Sequence, residues 1–399
     1  MIRKLAHLLS LPLIWGLRPI KLFAYRTRFA LIRRVILEAT TLVDFLLIGA
    51  NVQNGAMRLY HRVYRGNFIF GKSVMVVNHA RAAEEIPRSR LRASRFMGVH
   101  TLVHDPAVFV TNAGPITTSQ PARGVLRRHM DERFFTPDIS SPNPGVLLAA
   151  CRPILEEWSK DPRMAASLWP IRGTVTRLVL KVLAQKDLSR AEADRVTAAY
   201  LRRVGEFSLL GYYCPWMLGL LGSREGIQRD AFRPLQQLGV DNLVIDMTLF
   251  AAMFSIGTIV MKAVEFTATF DIDYASLTPQ ERVRFVVESL RLHPTVTCVH
   301  RILEEEETVD VAGKPLRLRP GDEVAYPFVC LNRDPARFAN PDSFRLDRPT
   351  EEVEAVLSWS KGPHACPVKD LSVLLTVMML DTLATRFELR KLKIFDLEV

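Results

Sequence analysis

The spacing of apolar and polar positions along this chain changes several times, and each change predicts an element. Asn67-Phe68-Ile69-Phe70-Gly71-Lys72-Ser73-Val74-Met75-Val76-Val77-Asn78 is two short apolar runs about a glycine, which predicts two strands and a tight turn. From Phe96 to Thr118, glycine and proline punctuate scattered apolar residues, as in a loop roofing a pocket. Ser119-Gln120-Pro121 predicts a helix start, with proline in the first turn. Residues 140–235 predict mostly helix, broken at Pro142, Pro144, Pro153, Pro162, Pro170 and Pro215. Asp241 to Phe270 is apolar on almost every side, the mark of a helix buried in a large protein or in a membrane. Its acids and Lys262 favour a central core helix. Beyond it, Gly313-Lys314 and Pro320-Gly321-Asp322 predict turns between strands, and Glu304 to Glu307 a solvated turn.

Chemistry concentrates near the end. Trp359-Ser360-Lys361-Gly362-Pro363-His364-Ala365-Cys366-Pro367 places one cysteine in a glycine-marked loop, just before the apolar run Leu371–Leu380. A thiolate at a helix N-terminus is stabilised by the helix dipole and by backbone N–H groups, and it is a strong axial ligand for haem iron. A lone intracellular cysteine is as often a small buried apolar residue. On this stretch both readings stand.

Two upstream patterns bear on the choice. Glu288-Ser289-Leu290-Arg291 puts a carboxylate and a guanidinium on one helix face, spaced for a charge-assisted pair. Asn332-Arg333-Asp334-Pro335, Phe338 and Pro341-Asp342-Ser343-Phe344-Arg345-Leu346-Asp347-Arg348-Pro349 then form a turn-rich segment ending in Arg348. E-x-x-R, that segment and G-x-H-x-C, in this order, resemble the cytochrome P-450 superfamily of haem-thiolate enzymes, over roughly residue 66 to the end.

The resemblance implies a mainly α fold with a small β-sheet region, and haem b between the long central helix and the helix after Cys366. It makes Cys366 the iron ligand and Arg123, Arg127, Arg301 and His364 propionate partners. Glu288, Arg291 and Arg348 become a structural set, and Ala252 and Val296 line the substrate pocket. Counting back from Glu288, the family's central-helix pattern falls on Ala251-Ala252-Met253-Phe254-Ser255. There the alcohol survives as Ser255, while the usual acid is Phe254; the alternative register, Gly257-Thr258, also lacks the acid. Ala251, Phe254 and Ser255 are therefore the catalytic positions of interest. Ser360 and Val368 stand where relatives carry glycine.

Such a fold implies a monooxygenase acting on a lipophilic or biosynthetic small molecule, with O2 and electrons from a separate ferredoxin- or flavodoxin-type donor. The missing acid keeps open a reductant-independent hydroperoxide isomerase, lyase or peroxygenase on a fatty-acid-like substrate. A haem-bound interaction domain without catalysis is the third reading.

Composition narrows the rest. Five widely spaced cysteines with no C-x-x-C pair fit a reducing compartment rather than a disulfide framework, hence a cytoplasmic location. Residues 1–66 hold eleven Lys/Arg against Glu38 and Asp44, which is nine of the chain's net charge of +11. We read them as a basic, apolar N-terminal arm ahead of one catalytic domain, 67–399. The apolar stretch Leu5–Leu17 is short of the ~18 residues a spanning helix needs. The arm reads as an amphipathic segment on an anionic membrane, as helices packed on the body, or as a cleaved signal, although no small-residue cleavage site follows Leu17. No nucleic-acid-binding module accompanies the arginines.

Overall fold

In the computed structural model, the described residues are 2–27, 29–51, 53–87, 91–93, 128, 131–161, 167–200, 233–240, 243–362 and 365–392. The N-terminal helices are α1 (Ile2–Arg26), α2 (Ala30–Asn51) and α3 (Gln53–Tyr64). Strands β1 (Phe68–Phe70) and β2 (Ser73–Met75) follow, joined at Gly71 with φ +59°, where glycine carries no steric penalty. Next come α4 (His79–Glu85), β3 (Leu91–Ala93), α5 (Pro144–Trp158) and α6 (Leu168–Ala184). The long helix α7 (Leu243–Thr269) leads to α8 (Pro279–Leu292). Strands β4 (Cys298–Leu303), β5 (Glu307–Val311), β6 (Lys314–Leu318) and β7 (Glu323–Pro327) precede α9 (Lys369–Ala384).

Five strands form one sheet in the order β1-β2-β7-β4-β3, with β2 and β7 parallel and the other pairs antiparallel. The β5–β6 hairpin stands apart, turning at Ala312-Gly313. The expected strands at 67–78 and the turns at 313 and 321 are where the pattern put them. Among the described residues three of the prolines expected as breakers behave otherwise, and Pro144 opens α5 at its first position. Pro153 lies inside α5, and Pro170 lies in the first turn of α6, where its missing N–H costs no helical hydrogen bond. The expected loop at 96–118 and the helix start at 119–121 lie outside the described residues.

Two apolar cores organise the chain. The larger joins α5, α6, α7, α8 and α9 through residues such as Val175, Met253, Val260, Phe285, Leu375 and Met379. The second joins the sheet to the N-terminal helices: Ile14, Tyr25, Met57 and Tyr60 share it with Phe68, Val74, Leu316 and Val324. Residues 1–66 thus build part of the body's core. Helix α8 begins with a capping box: Thr278 Oγ1 accepts from the Glu281 N–H, and the Glu281 carboxylate accepts from the Thr278 N–H. Pro279 follows at the first helical position, so the chain sets the start of the helix that carries Glu288 and Arg291.

Candidate functional site

The last residues of α8 form a buried ionic centre. Glu288 accepts from Arg291 Nε at 2.7 Å and Nη2 at 2.8 Å, a two-point contact along one helix face. Arg348, distant in sequence, donates Nε to both oxygens of the same carboxylate at 2.9 and 3.0 Å, and the Arg345 N–H adds a further bond at 3.0 Å. Arg291 is fully buried. Its remaining N–H groups go to the carbonyls of Asn332 (2.8 Å), Pro341 (2.6 Å) and Ser343 (3.0 Å). Arg348 serves the carbonyls of Ala339 and Ser343, both at 2.9 Å, and the Glu352 carboxylate. Two guanidiniums thereby satisfy an irregular segment that has no ladder of its own, because each planar fork carries five donors.

Asn332 carries that order onward. The residue is fully buried; its Oδ1 accepts from the Leu357 N–H at 2.9 Å and its Nδ2 donates to Ser358 Oγ at 3.0 Å. The Ser358 hydroxyl in turn donates to the Leu290 carbonyl at 2.8 Å, which closes the path back to α8. Leu357 and Ser358 open the cysteine loop. Within it, the Cys366 N–H donates to the Trp359 carbonyl at 2.8 Å, and the Trp359 indole N–H donates to Ser372 Oγ on α9 at 3.2 Å. The sequence displayed Asn332 inside its turn motif, but nothing in the pattern marked its side chain as a clamp.

The loop has two left-handed residues, Ser360 (φ +61°) and Gly362 (φ +58°). A Cβ on Gly362 would stand 2.6 Å from Pro87, so this glycine is required by both conformation and space. Ser360 adopts the same region with a Cβ, and its buried hydroxyl has no hydrogen-bond partner among the described residues. Cys366 is half-buried, three residues ahead of α9. Burial pushes the Cys151 and Cys330 thiols up to about 11 and about 12, where a thiolate is not available at neutral pH.

Helix α7 is buried at Leu249, Met253, Ile256, Ile259 and Val260. Among the described residues nothing buries a stripe running Ala251, Ser255, Thr258: Ala251 is exposed and the two alcohols are half-buried. Phe254 borders this stripe, 5.0 Å from Phe250 and with the Arg172 guanidinium of α6 at 4.8 Å from its ring centre. Gly257 faces α6, where a Cβ would meet the Arg172 side chain at 3.1 Å, so it is a helix-packing glycine. Ala252 is half-buried and Val296 exposed. Arg301 is buried in β4, opposite Ala93 of β3 and Val324 of β7. Arg123, Arg127 and His364 lie outside the described residues.

A cytochrome P450 family model matches residues 283–394, the stretch that holds Glu288, Arg291, Arg348 and Cys366. Over that stretch the chain matches the cytochrome P450 superfamily. It is similar to cytochrome P450 4d2 of Drosophila melanogaster, 32% identical over 109 residues, which is 26% of this chain and 21% of that protein. It is also similar to a bifunctional dioxygenase–epoxy alcohol synthase of Pyricularia oryzae, 26% identical over 107 residues, covering 27% of this chain and 9% of that one. The matched stretch thus spans about a fifth or less of these relatives' length. A thermophilic cytochrome P450 from Sulfolobus tokodaii shares the fold, with a TM-score of 0.57 at 18% identity over 81% of this chain and 89% of the other.

Members of this superfamily carry haem. The donor set here fits it. Among the described residues no three His, Cys, Asp or Glu side chains cluster as a metal cage would require. A single half-buried cysteine ahead of a helix suits an iron whose other donors would come from a macrocycle. The open Ala251–Ser255–Thr258 stripe suits a flat, largely apolar ring system with a small polar centre.

Proposed function

We propose that this chain is a haem-thiolate monooxygenase oxidising a lipophilic small molecule, with O2 and with electrons from a separate ferredoxin- or flavodoxin-type protein. The observation that carries the reading is the hydrogen-bonded path from Glu288 and Arg291 through Asn332 to the Leu357–Cys366 loop. Such a path has the effect of holding one thiolate sulfur in a fixed place against a rigid helix. Cys366 is the ligand and Arg301 a propionate partner, with Arg123, Arg127 and His364 assigned to the same anionic edge by the resemblance. Bound haem supplies the oxygen chemistry.

The protein's own residues must bind, orient and move protons. Monooxygenation inserts one oxygen atom into a substrate C–H bond, and the second leaves as water after two electrons and two protons arrive. Ser255, on the open stripe, can hold a proton or a water at its hydroxyl. Phe254 contributes no proton; its ring faces the Arg172 cation instead. Ala251 leaves room on the same stripe, and Ala252 and Val296 are the apolar lining we assign to the substrate.

Phe254 also favours a second reading, in which the oxidant is a fatty-acid hydroperoxide that needs no proton delivery to O2. An acid in the relay commonly contributes ~10²–10⁴-fold, so its replacement matters less where that step is absent. One experiment separates the two: ferric protein, without reductant, is mixed with a fatty-acid hydroperoxide, and diene absorbance and product masses are followed. No turnover, together with a thiolate-type carbon-monoxide spectrum of a separately reduced sample, is the outcome expected for a monooxygenase. Rapid conversion to rearranged product would replace it with the hydroperoxide reading.

A further inference from the structure

The N-terminal helices have a second face that neither reading of the catalytic site uses. Among the described residues, eight of the thirteen exposed large apolar side chains fall between residues 13 and 35. They are Leu13, Trp15 and Ile20 along α1, and Phe23, Phe29, Leu31, Ile32 and Val35 around the turn into α2. Phe29 and Leu31 at that tip are 69% and 74% exposed. Soluble surfaces scatter such residues singly; gathered on one feature, they mark a docking face.

The opposite face of the hairpin is fastened down. Lys21 is buried against Asp44, Arg33 donates to Asp322 at 2.6 Å while lying 4.4 Å over the Tyr25 ring, and Ile14, Ala24 and Leu37 are in the sheet's core. The helices on either side of the tip are therefore anchored to the body. Arg26 and Arg34 are exposed beside the tip, and residues 1–66 carry nine of the chain's net charge of +11. An apolar tip flanked by Arg26 and Arg34 complements an anionic, apolar-cored surface, and like charge disfavours a second copy of itself there. Among the described residues the one helix long and apolar enough to cross a bilayer is α7, from Val244 to Thr269, so the hairpin would lie on a bilayer rather than span it.

We infer that the α1–α2 tip docks this protein onto an anionic lipid bilayer, with Phe23, Phe29, Leu31, Ile32 and Val35 in the headgroup–acyl boundary and Arg26 and Arg34 on the lipid phosphates. This holds whichever oxidant the enzyme uses. The test is co-sedimentation of the full-length haem-loaded protein with vesicles of phosphatidylcholine alone and of phosphatidylcholine mixed with phosphatidylglycerol. The protein is expected on the mixed vesicles, less so at high salt. A Phe23→Ser/Phe29→Ser/Leu31→Ser variant and an Arg26→Glu/Arg34→Glu variant should each bind at least about tenfold more weakly. Val146→Ser, at an exposed apolar site on α5, should bind as the unaltered protein does. Haem spectra and melting curves confirm that every variant is folded. Failure of the unaltered protein to sediment with mixed vesicles, or undiminished binding of the triple serine variant, would overturn the inference. So would a dimer in light scattering that the triple variant dissolves, since the tip would then be a contact between copies.

Discussion

Two buried ionic networks hold this molecule, and they do different work. Around Glu288, two arginine forks satisfy the carboxylate and the backbone carbonyls of residues 332, 339, 341 and 343. Around Asp44, one ammonium from Lys21, the Tyr60 hydroxyl and the Gly71 N–H at 2.6 Å converge on a single carboxylate. The first network organises chain that has no regular structure, and through Asn332 it reaches the cysteine loop. The second ties helices and a turn that already share an apolar core. Burial pushes the Lys21 ammonium down and the Asp44 carboxyl up, each opposed by the other's charge. A fork with five donors can order a loop, whereas a point charge mainly neutralises its partner.

That contrast is most severely tested at Arg291. Arg291→Ala leaves Glu288 with Arg348 and the Arg345 N–H and orphans the Asn332 and Pro341 carbonyls, a loss of about 3–5 kcal/mol for breaking a buried pair. Little haem-loaded protein should be recovered; a good yield with an unchanged carbon-monoxide spectrum would dissolve the difference between the two networks.

Lys21→Met should cost about 2 kcal/mol, since Asp44 can take up a proton and keep Tyr60 and Gly71 as partners. The haem spectrum should not change. The variant also has a definite pH dependence. Without Lys21, burial acts on Asp44 with less opposition, so its folded pKa stands further above the ordinary 3.8. A raised folded pKa contributes stability below the unfolded value, and that contribution is lost as pH rises through the folded one. Melting temperatures of variant and parent should therefore converge in acid and separate as pH rises from about 4. A gap that widened in acid would contradict the assignment.

Smaller changes sharpen the path from Asn332 to the thiolate. Asn332→Ala strands the Leu357 N–H and should cost about 1–3 kcal/mol, together with a shift or broadening of the haem band. Stability lost without any spectral change would place Asn332 in the core but not on the path. Ser360→Gly relieves a left-handed residue whose buried hydroxyl has no partner among the described residues, and should raise stability by about 1 kcal/mol. Thermal melting of the loaded protein reads that directly.

Comparing elements shows why parts of this protein can be read without coordinates. The strands at 68–75, the capped helix at 279–292 and the long helix at 243–269 announce themselves, because period, capping residues and turn glycines are local properties. The pairing of Glu288 with Arg291 is equally local, at three residues' separation. Arg348 was legible only through order and resemblance, sixty residues from the carboxylate it meets. Pro153 misled, because a proline's cost in a helix depends on how its neighbours accommodate it.

By itself, then, the sequence displayed the cysteine loop, the E-x-x-R pair and the resemblance they carry, all of them identities and short spacings. The tertiary structure decided the rest. It made Asn332 a clamp, turned Phe254 onto Arg172, and joined the N-terminal helices to the sheet while leaving their tip exposed. Each of these depends on which distant surfaces meet. Burial, and the hydrogen bonds it obliges buried groups to find, are properties of those meetings rather than of any stretch of chain.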